Sequence, residues 1–183
     1  VVLTGEGRPV CCEVWSGNQT DVRSLLPVVD PLRDRFGIKR VCWVADRGMI
    51  RGETIRELEK RGLEYILGAR MRRQKEVRNI VLGDQGTYEK IADNLEVKEV
   101  MVEARRYVVC HNESEARKDA ADRKAIVNAL EDQLKNGGKS LVGPSRKDGY
   151  QRFLKVESAA MSIDEAKVKA EERFDGKFVL RTN

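Results

Sequence analysis

Lys39-Arg-Val-Cys-Trp-Val-Ala-Asp46-Arg-Gly-Met49 is the stretch on which the reading of the fold turns. Val41, Cys42, Trp43, Val44 and Ala45 make a short, continuous apolar run, the pattern of a parallel strand covered on both faces. The run stops abruptly at a carboxylate, Asp46, and Gly48 loosens the turn behind it. Open α/β sheets place their chemistry at the carboxyl ends of strands. A carboxylate there can hold a divalent metal, although strand-end aspartates also often cap the next turn.

The flanking segments extend this into an α/β layer. Val1–Thr4 and Pro9–Trp15 are strand-like, with a hairpin turn at Gly5-Glu-Gly7. Thr20 or Asp21 can cap a helix running to about Phe36, with Leu25, Leu26, Val29, Leu32 and Phe36 on its apolar face. Pro27 and Pro31 predict a kink in it. Beyond Asp46, Gly52–Arg61 reads as a short amphipathic helix with Ile55 and Leu58 inward, closed by Gly62. Leu63–Gly68 is the next strand. Strands alternating with helices over residues 10–68 indicate parallel pairing.

The texture changes after Ala69. Arg70, Arg72, Arg73, Lys75 and Arg78 form a basic run, and residues 77–111 are read in period two. Val97–Val102 and Arg106–Cys110 predict an antiparallel hairpin turning near Glu103–Arg105. A long helix follows over 113–135. Asn112 caps it, Glu115 completes the capping-box spacing, and Asn136-Gly-Gly138 stops it. Its stripe is Ala116, Ala120, Val127, Leu130 and Leu134. Residues 137–149 read as a loop and Tyr150–Val156 as a strand. Ser162 opens a last helix with Glu165 at the capping-box position, ending near Phe174. Asp175-Gly176 then turns the chain into a final strand, Lys177–Thr182. The expected organisation is therefore an α/β region over 1–70 and an α+β region over 71–183.

Composition bounds the function. The 183 residues are 36% charged and 40% hydrophobic, with no apolar run of membrane-spanning length and no visible signal peptide. The net charge of +5 permits a polyanionic partner without requiring one. Cys11, Cys12, Cys42 and Cys110 form no Cys-x-x-Cys pair and read as buried free thiols. His111, the lone histidine, reads as structural. No Gly-rich phosphate loop and no Ser-His-Asp or Cys-His signature is present. The basic run carries four arginines to one lysine, which favours phosphate recognition over a plain solvated connector. The long helix carries mixed charges and reads as a solvent-facing surface with i,i+4 pairs such as Asp119–Arg123.

Taken in order, several segments resemble the core of bacterial insertion-sequence DDE transposases. These are Gly7-Arg-Pro-Val10, Trp15-Ser-Gly-Asn18, Asp21, Phe36-Gly-Ile38, Val44-Ala-Asp-Arg-Gly-Met49 and Tyr65-Ile-Leu-Gly-Ala-Arg70. Arg106-Tyr-Val-Val-Cys-His-Asn112, Ala120-Ala-Asp-Arg123 and Phe174–Asn183 extend the likeness over essentially the whole chain.

The resemblance implies a partial ribonuclease H-like mixed sheet with helices, plus an α+β insertion containing a β-hairpin and a long helix. It implies DNA strand cleavage and joining by two-metal phosphoryl transfer, with Mg2+ or Mn2+ held by two aspartates and a glutamate. Asp46 matches the second aspartate, as catalytic residue and metal ligand. Arg47, Arg70, Arg72, Arg73, Lys75 and Arg78 are the expected DNA contacts. The partners implied are DNA (element ends and target) and a second copy of the chain, in a bacterial cytoplasm at the nucleoid.

The family's first aspartate is expected before Val1. Its glutamate, in a Tyr-x-x-Arg-x-x-x-Glu-x-x-x-x-x-x-Lys pattern not found here, is expected after Asn183. The chain is thus read as an internal fragment, inactive alone. With the family's first strand missing, inner strands of the sheet are expected to expose an unpaired edge. The alternative is a non-catalytic DNA-binding remnant of a decayed mobile element.

Overall fold

A computed structural model describes residues 2–12, 14, 31, 34–35, 37, 40–47, 52–136, 152–157 and 160–183. The helix expected over 20–36 and the loop over 137–149 lie largely or wholly outside them.

The fold is mixed α/β. β1 (Val2–Leu3) and β2 (Pro9–Cys11) pair antiparallel as a separate two-stranded sheet. β3 (Cys42–Ala45), α1 (Gly52–Lys60) and β4 (Glu64–Gly68) form a parallel β-α-β unit, with Trp43 opposite Tyr65 and Ala45 opposite Leu67. A π-helical turn, Val77–Val81, follows. Then come β5 (Glu89–Ala92), β6 (Leu95–Val102), β7 (Arg105–Asn112) and the 23-residue α2 (Glu113–Lys135). β8 (Leu154–Glu157) and β9 (Ala160–Ile163) make a hairpin sheet, and α3 (Glu165–Glu172) leads to β10 (Lys177–Thr182). Among the described residues the main sheet has six strands in the order β3-β4-β10-β7-β6-β5, with β10 antiparallel to β4.

The chain divides into two compact units. The first holds Val1–Arg70, Met101–Tyr107 and Leu180–Asn183; the second holds Met71–Val100 and Val108–Val179. In the first, α1 lays Ile55 and Leu58 on Ala45, Leu63, Tyr65 and Leu67, with Val41 and Trp43 packed at the margin. Gly62 ends α1 in the left-handed region at φ 64°, as glycine does without a Cβ penalty. In the second, α2 supplies Leu130 to a core with Phe153 and Leu154, margined by Ile126, Leu134, Met161, Ile163 and Val168.

Several expectations are corrected. β3 is not covered on both faces: Val44 is 73% exposed and Cys42 is exposed, whereas Ala45 on the α1 side is buried. β3 ends the six-strand order, and α1 covers one side only. Cys12 and Cys42 are exposed free thiols, and Cys110 is buried. Residues 77–81 are helical rather than extended, because Val77 and Val81 share one buried side at i,i+4 spacing. β5 and β9 add strands that periodicity did not separate. The cap of α3 is Asp164, whose Oδ1 accepts from the Lys167 amide at 3.0 Å, while Ser162 remains in β9.

Asp119 and Arg123 do not pair with each other. Asp119 accepts from the Gly176 amide at 2.9 Å, and Arg123 meets Asp175 at 2.5 Å. Both residues fasten α2 to the turn before β10. The Asn112 cap on Glu115 N, at 3.0 Å, agrees with the spacing read from sequence.

Candidate functional site

Asp46 follows the last residue of β3, at the carboxyl end of a strand in a parallel pair. It is exposed. Its Oδ1 accepts from the Arg47 amide at 2.7 Å, and among the described residues Oδ2 has no hydrogen-bond partner. The carboxylate is thus held through one oxygen with the other available.

Two neighbours from the end of β4 brace this turn. A Cβ on Gly68 would lie 2.9 Å from Arg47 N and 3.4 Å from Asp46 Oδ1, so only glycine lets β4 approach so closely. Arg70 Nε donates to the Arg47 carbonyl at 2.9 Å. The β3–β4 pairing therefore delivers Asp46, Arg47, Gly68 and Arg70 to one place. The sequence marked three of these; Gly68 was read only as the end of a strand.

The remaining basic residues belong to the second unit. Arg72 Nε reaches Glu171 Oε2 at 2.8 Å, and its guanidinium lies 4.7 Å over the Phe174 ring. Arg73 and Lys75 are exposed. Arg78 is half-buried; its Nε donates to Asn79 Oδ1 at 3.2 Å. Its carbonyl accepts from Arg173. Glu171 also takes Arg152 at 3.5 Å. Sequence reasoning missed Arg152, Glu171 and Arg173, because no local spacing connects them to residues 70–78.

His111 is not isolated. Its Nδ1 lies 2.8 Å from Glu96 Oε1 on the wall of a shallow cavity of about 320 Å³ lined also by Lys90, Asp93 and Glu113. This pair spans neighbouring strands and leaves no sequence spacing to detect.

A six-stranded mixed sheet with flanking helices and a carboxylate at the end of a parallel strand is consistent with a ribonuclease H-like transposase core. Residues 1–157 match the family model described as the transposase DDE domain, and the chain belongs to that family. Among curated proteins and solved structures, no match is found. The family consists of polynucleotidyl transferases that act on DNA and generally use divalent metal ions. No helix among the described residues is long and apolar enough to cross a membrane.

Asp46 offers the hard oxygen that such a cation prefers. Yet the described residues hold no group of three or more His, Cys, Asp or Glu side chains able to bind a metal ion. One carboxylate does not by itself make a cation site, so these residues alone do not fit the divalent ions the family generally uses.

Proposed function

We propose that this chain supplies Asp46 as one carboxylate of a DDE transposase centre, whose complete form cleaves and joins DNA strands by two-metal phosphoryl transfer with Mg2+ or Mn2+. The carrying observation is positional: within a chain matched to this family, Asp46 stands at the carboxyl end of β3 with one oxygen unengaged by the described residues. The chain's own part is to hold that carboxylate still. Arg47 N fixes Oδ1, Gly68 lets β4 close on the turn, and Arg70 ties down the Arg47 carbonyl. Acting alone, with no group of three or more His, Cys, Asp or Glu side chains able to hold a metal among the described residues, the chain is inactive. Incubating the purified chain with supercoiled plasmid and Mg2+ or Mn2+ tests this. No nicked or linear product is expected; a metal-dependent product lost in Asp46→Ala overturns it.

Residues 1–70 are proposed as a partial ribonuclease H-like core and 71–183 as an insertion. Arg47, Arg70, Arg72, Arg73, Lys75 and Arg78 are proposed to face DNA, which would place the protein at the nucleoid. Self-association is part of the same reading. β3 ends the six-strand order, β1 and β2 stand in a sheet of their own, and an open edge strand is a template for another chain.

That the described residues assemble no such ligand group also favours a second reading, a DNA-binding remnant without catalysis. The gene around this segment separates the two. Codons for an upstream strand aspartate and a downstream helix glutamate support the transposase; stop codons or substitutions at those acids support the remnant.

A further inference from the structure

Three stretches distant in sequence converge in the second unit on one cationic surface. Arg72 and Arg152 reach the same carboxylate, Glu171, at 2.8 and 3.5 Å. Arg72 lies over the Phe174 ring at 4.7 Å, and Arg173 approaches that ring at 5.5 Å. Arg173 donates in turn to the Arg78 carbonyl. One carboxylate and one ring therefore tie together three guanidinium groups, and Arg173 links them to the main chain at Arg78.

The anchor is inside and the cations are outside. The Glu171 side chain is 18% exposed, against 44% for Arg72 and 41% for Arg152. The neighbouring acids Glu172 and Asp175 face Arg123 instead. Exposed Arg73 and Lys75 extend the surface. Guanidinium groups held in place by a carboxylate and an aromatic ring lose less freedom when they bind phosphate oxygens.

We propose that Arg152 and Arg173 complete, with Arg72 and Arg78, a preorganised phosphate-binding surface for the DNA backbone, with Glu171 as its positioning residue. This rests on the DNA-binding reading above and adds residues to it.

The test is duplex DNA binding by the purified chain, followed by fluorescence anisotropy across a KCl series. Each lost phosphate contact reduces the slope of log Kobs against log salt by about 0.9. Arg152→Gln with Arg173→Gln is expected to flatten the slope by about 1.8 in the same plot. The same charge change on α2, Arg117→Gln with Lys124→Gln, is expected to leave it unchanged. Equal flattening in both pairs, or none in either, overturns the proposal. If Arg72→Gln with Arg73→Gln flattens the slope but the Arg152/Arg173 pair does not, the DNA-binding reading stands and this proposal falls. A wild-type chain that does not bind duplex DNA removes both. Thermal melts establish that each variant folds; if the double variant does not, Arg152→Gln and Arg173→Gln are each expected to flatten the slope by about 0.9.

Glu171→Gln separates positioning from charge. It makes the surface more positive, so simple attraction predicts tighter binding. Loss of a fixed arginine pair predicts weakening of about fivefold or more. Tighter binding overturns the positioning role.

Discussion

Asp46 and Asp175 both sit at turns beside strands, one in each unit, and they are used in opposite ways. Among the described residues, Asp46 hydrogen-bonds only to the amide of its neighbour, and it stands exposed with Oδ2 unengaged by them. Asp175 receives Arg123 at 2.5 Å, with the two side chains only 17% and 12% exposed. That contact holds the Arg123 guanidinium above its ordinary pKa, against the opposing effect of burial. Asp175 is committed to the fold, whereas Asp46 leaves an oxygen for something outside it. Acidity at a turn is therefore no sign of function; the two aspartates differ in what the described residues offer them as partners.

The glycines beside the two aspartates give the largest expected effects. Gly176 has φ 61°, and a Cβ there would lie 2.7 Å from Ala116 N and closer still to the Asn112 carbonyl oxygen. Gly176→Ala is expected to cost about 3 kcal/mol, since strain and backbone collision act together. Gly68→Ala meets backbone at 2.9 Å without positive φ, so the Asp46 turn can shift to relieve it. Its expected cost is about 1–2 kcal/mol. Urea unfolding of both variants measures this. Equal costs would mean that the Asp46 turn is as rigidly built as the Asp175 turn.

The aspartates themselves sharpen the contrast. Asp175→Asn leaves Arg123 largely buried beside a neutral amide and is expected to cost about 2 kcal/mol, less than a fully buried pair because some exposure remains. Asp46→Asn keeps an oxygen for Arg47 N and is expected to stay within about 0.5 kcal/mol of wild type. A comparable loss in Asp46→Asn would make Asp46 a structural residue and withdraw its proposed role.

The two regions also differ in how much the sequence revealed. The β3–α1–β4 unit was legible because its signals are local: an apolar run, an amphipathic helix with Ile55 and Leu58 inward, and a glycine at its end. Asp46 was legible for the same reason, since strand and carboxylate are adjacent. Exposure was not legible. Val44 and Ala45 are both apolar, and which one faces out is decided by the face on which α1 packs, a tertiary contact that no local pattern reports. In the second unit, capping at Asn112 could be read, but Asp119 and Arg123 fit an i,i+4 pair as well as they fit their real partners at Gly176 and Asp175. The arginine surface joins residues 72, 78, 152 and 173, and no periodicity reports such a meeting.

The exposed side of β3 carries a third prediction. Val44 is 73% exposed and Ile66, opposite it on β4, is 37% exposed. Val44→Lys places a charge beside the open edge, a recognised way to discourage strand pairing. Its stability is expected to stay within about 0.5 kcal/mol of wild type. Sedimentation velocity is expected to show self-association by the wild type and less by the variant. A wild type that stays monomeric at every concentration removes the self-association reading.

The last prediction concerns a carboxylate of intermediate character. Glu59 Oε1 accepts from the Tyr65 hydroxyl at 2.7 Å and from Arg181 Nη2 at 2.9 Å. The Tyr65 hydrogen bond, helped by Arg181, holds its pKa below the ordinary 4.5, against a smaller opposing effect of burial. A depressed folded-state pKa stabilises in full above 4.5, and the contribution fades as the pH falls from there through the folded value. Because the Glu59 side chain is 42% exposed, solvent screening keeps the contribution below about 1 kcal/mol. Thermal melts of wild type and Glu59→Gln from about pH 6 to about pH 3 are expected to differ most at the upper end and to converge at the lower. A constant gap would assign the effect to the shape of the Tyr65–Arg181 contact rather than to charge. Glu59 would then stand beside Asp175 as a group fixed by packing, leaving Asp46 the more clearly set apart.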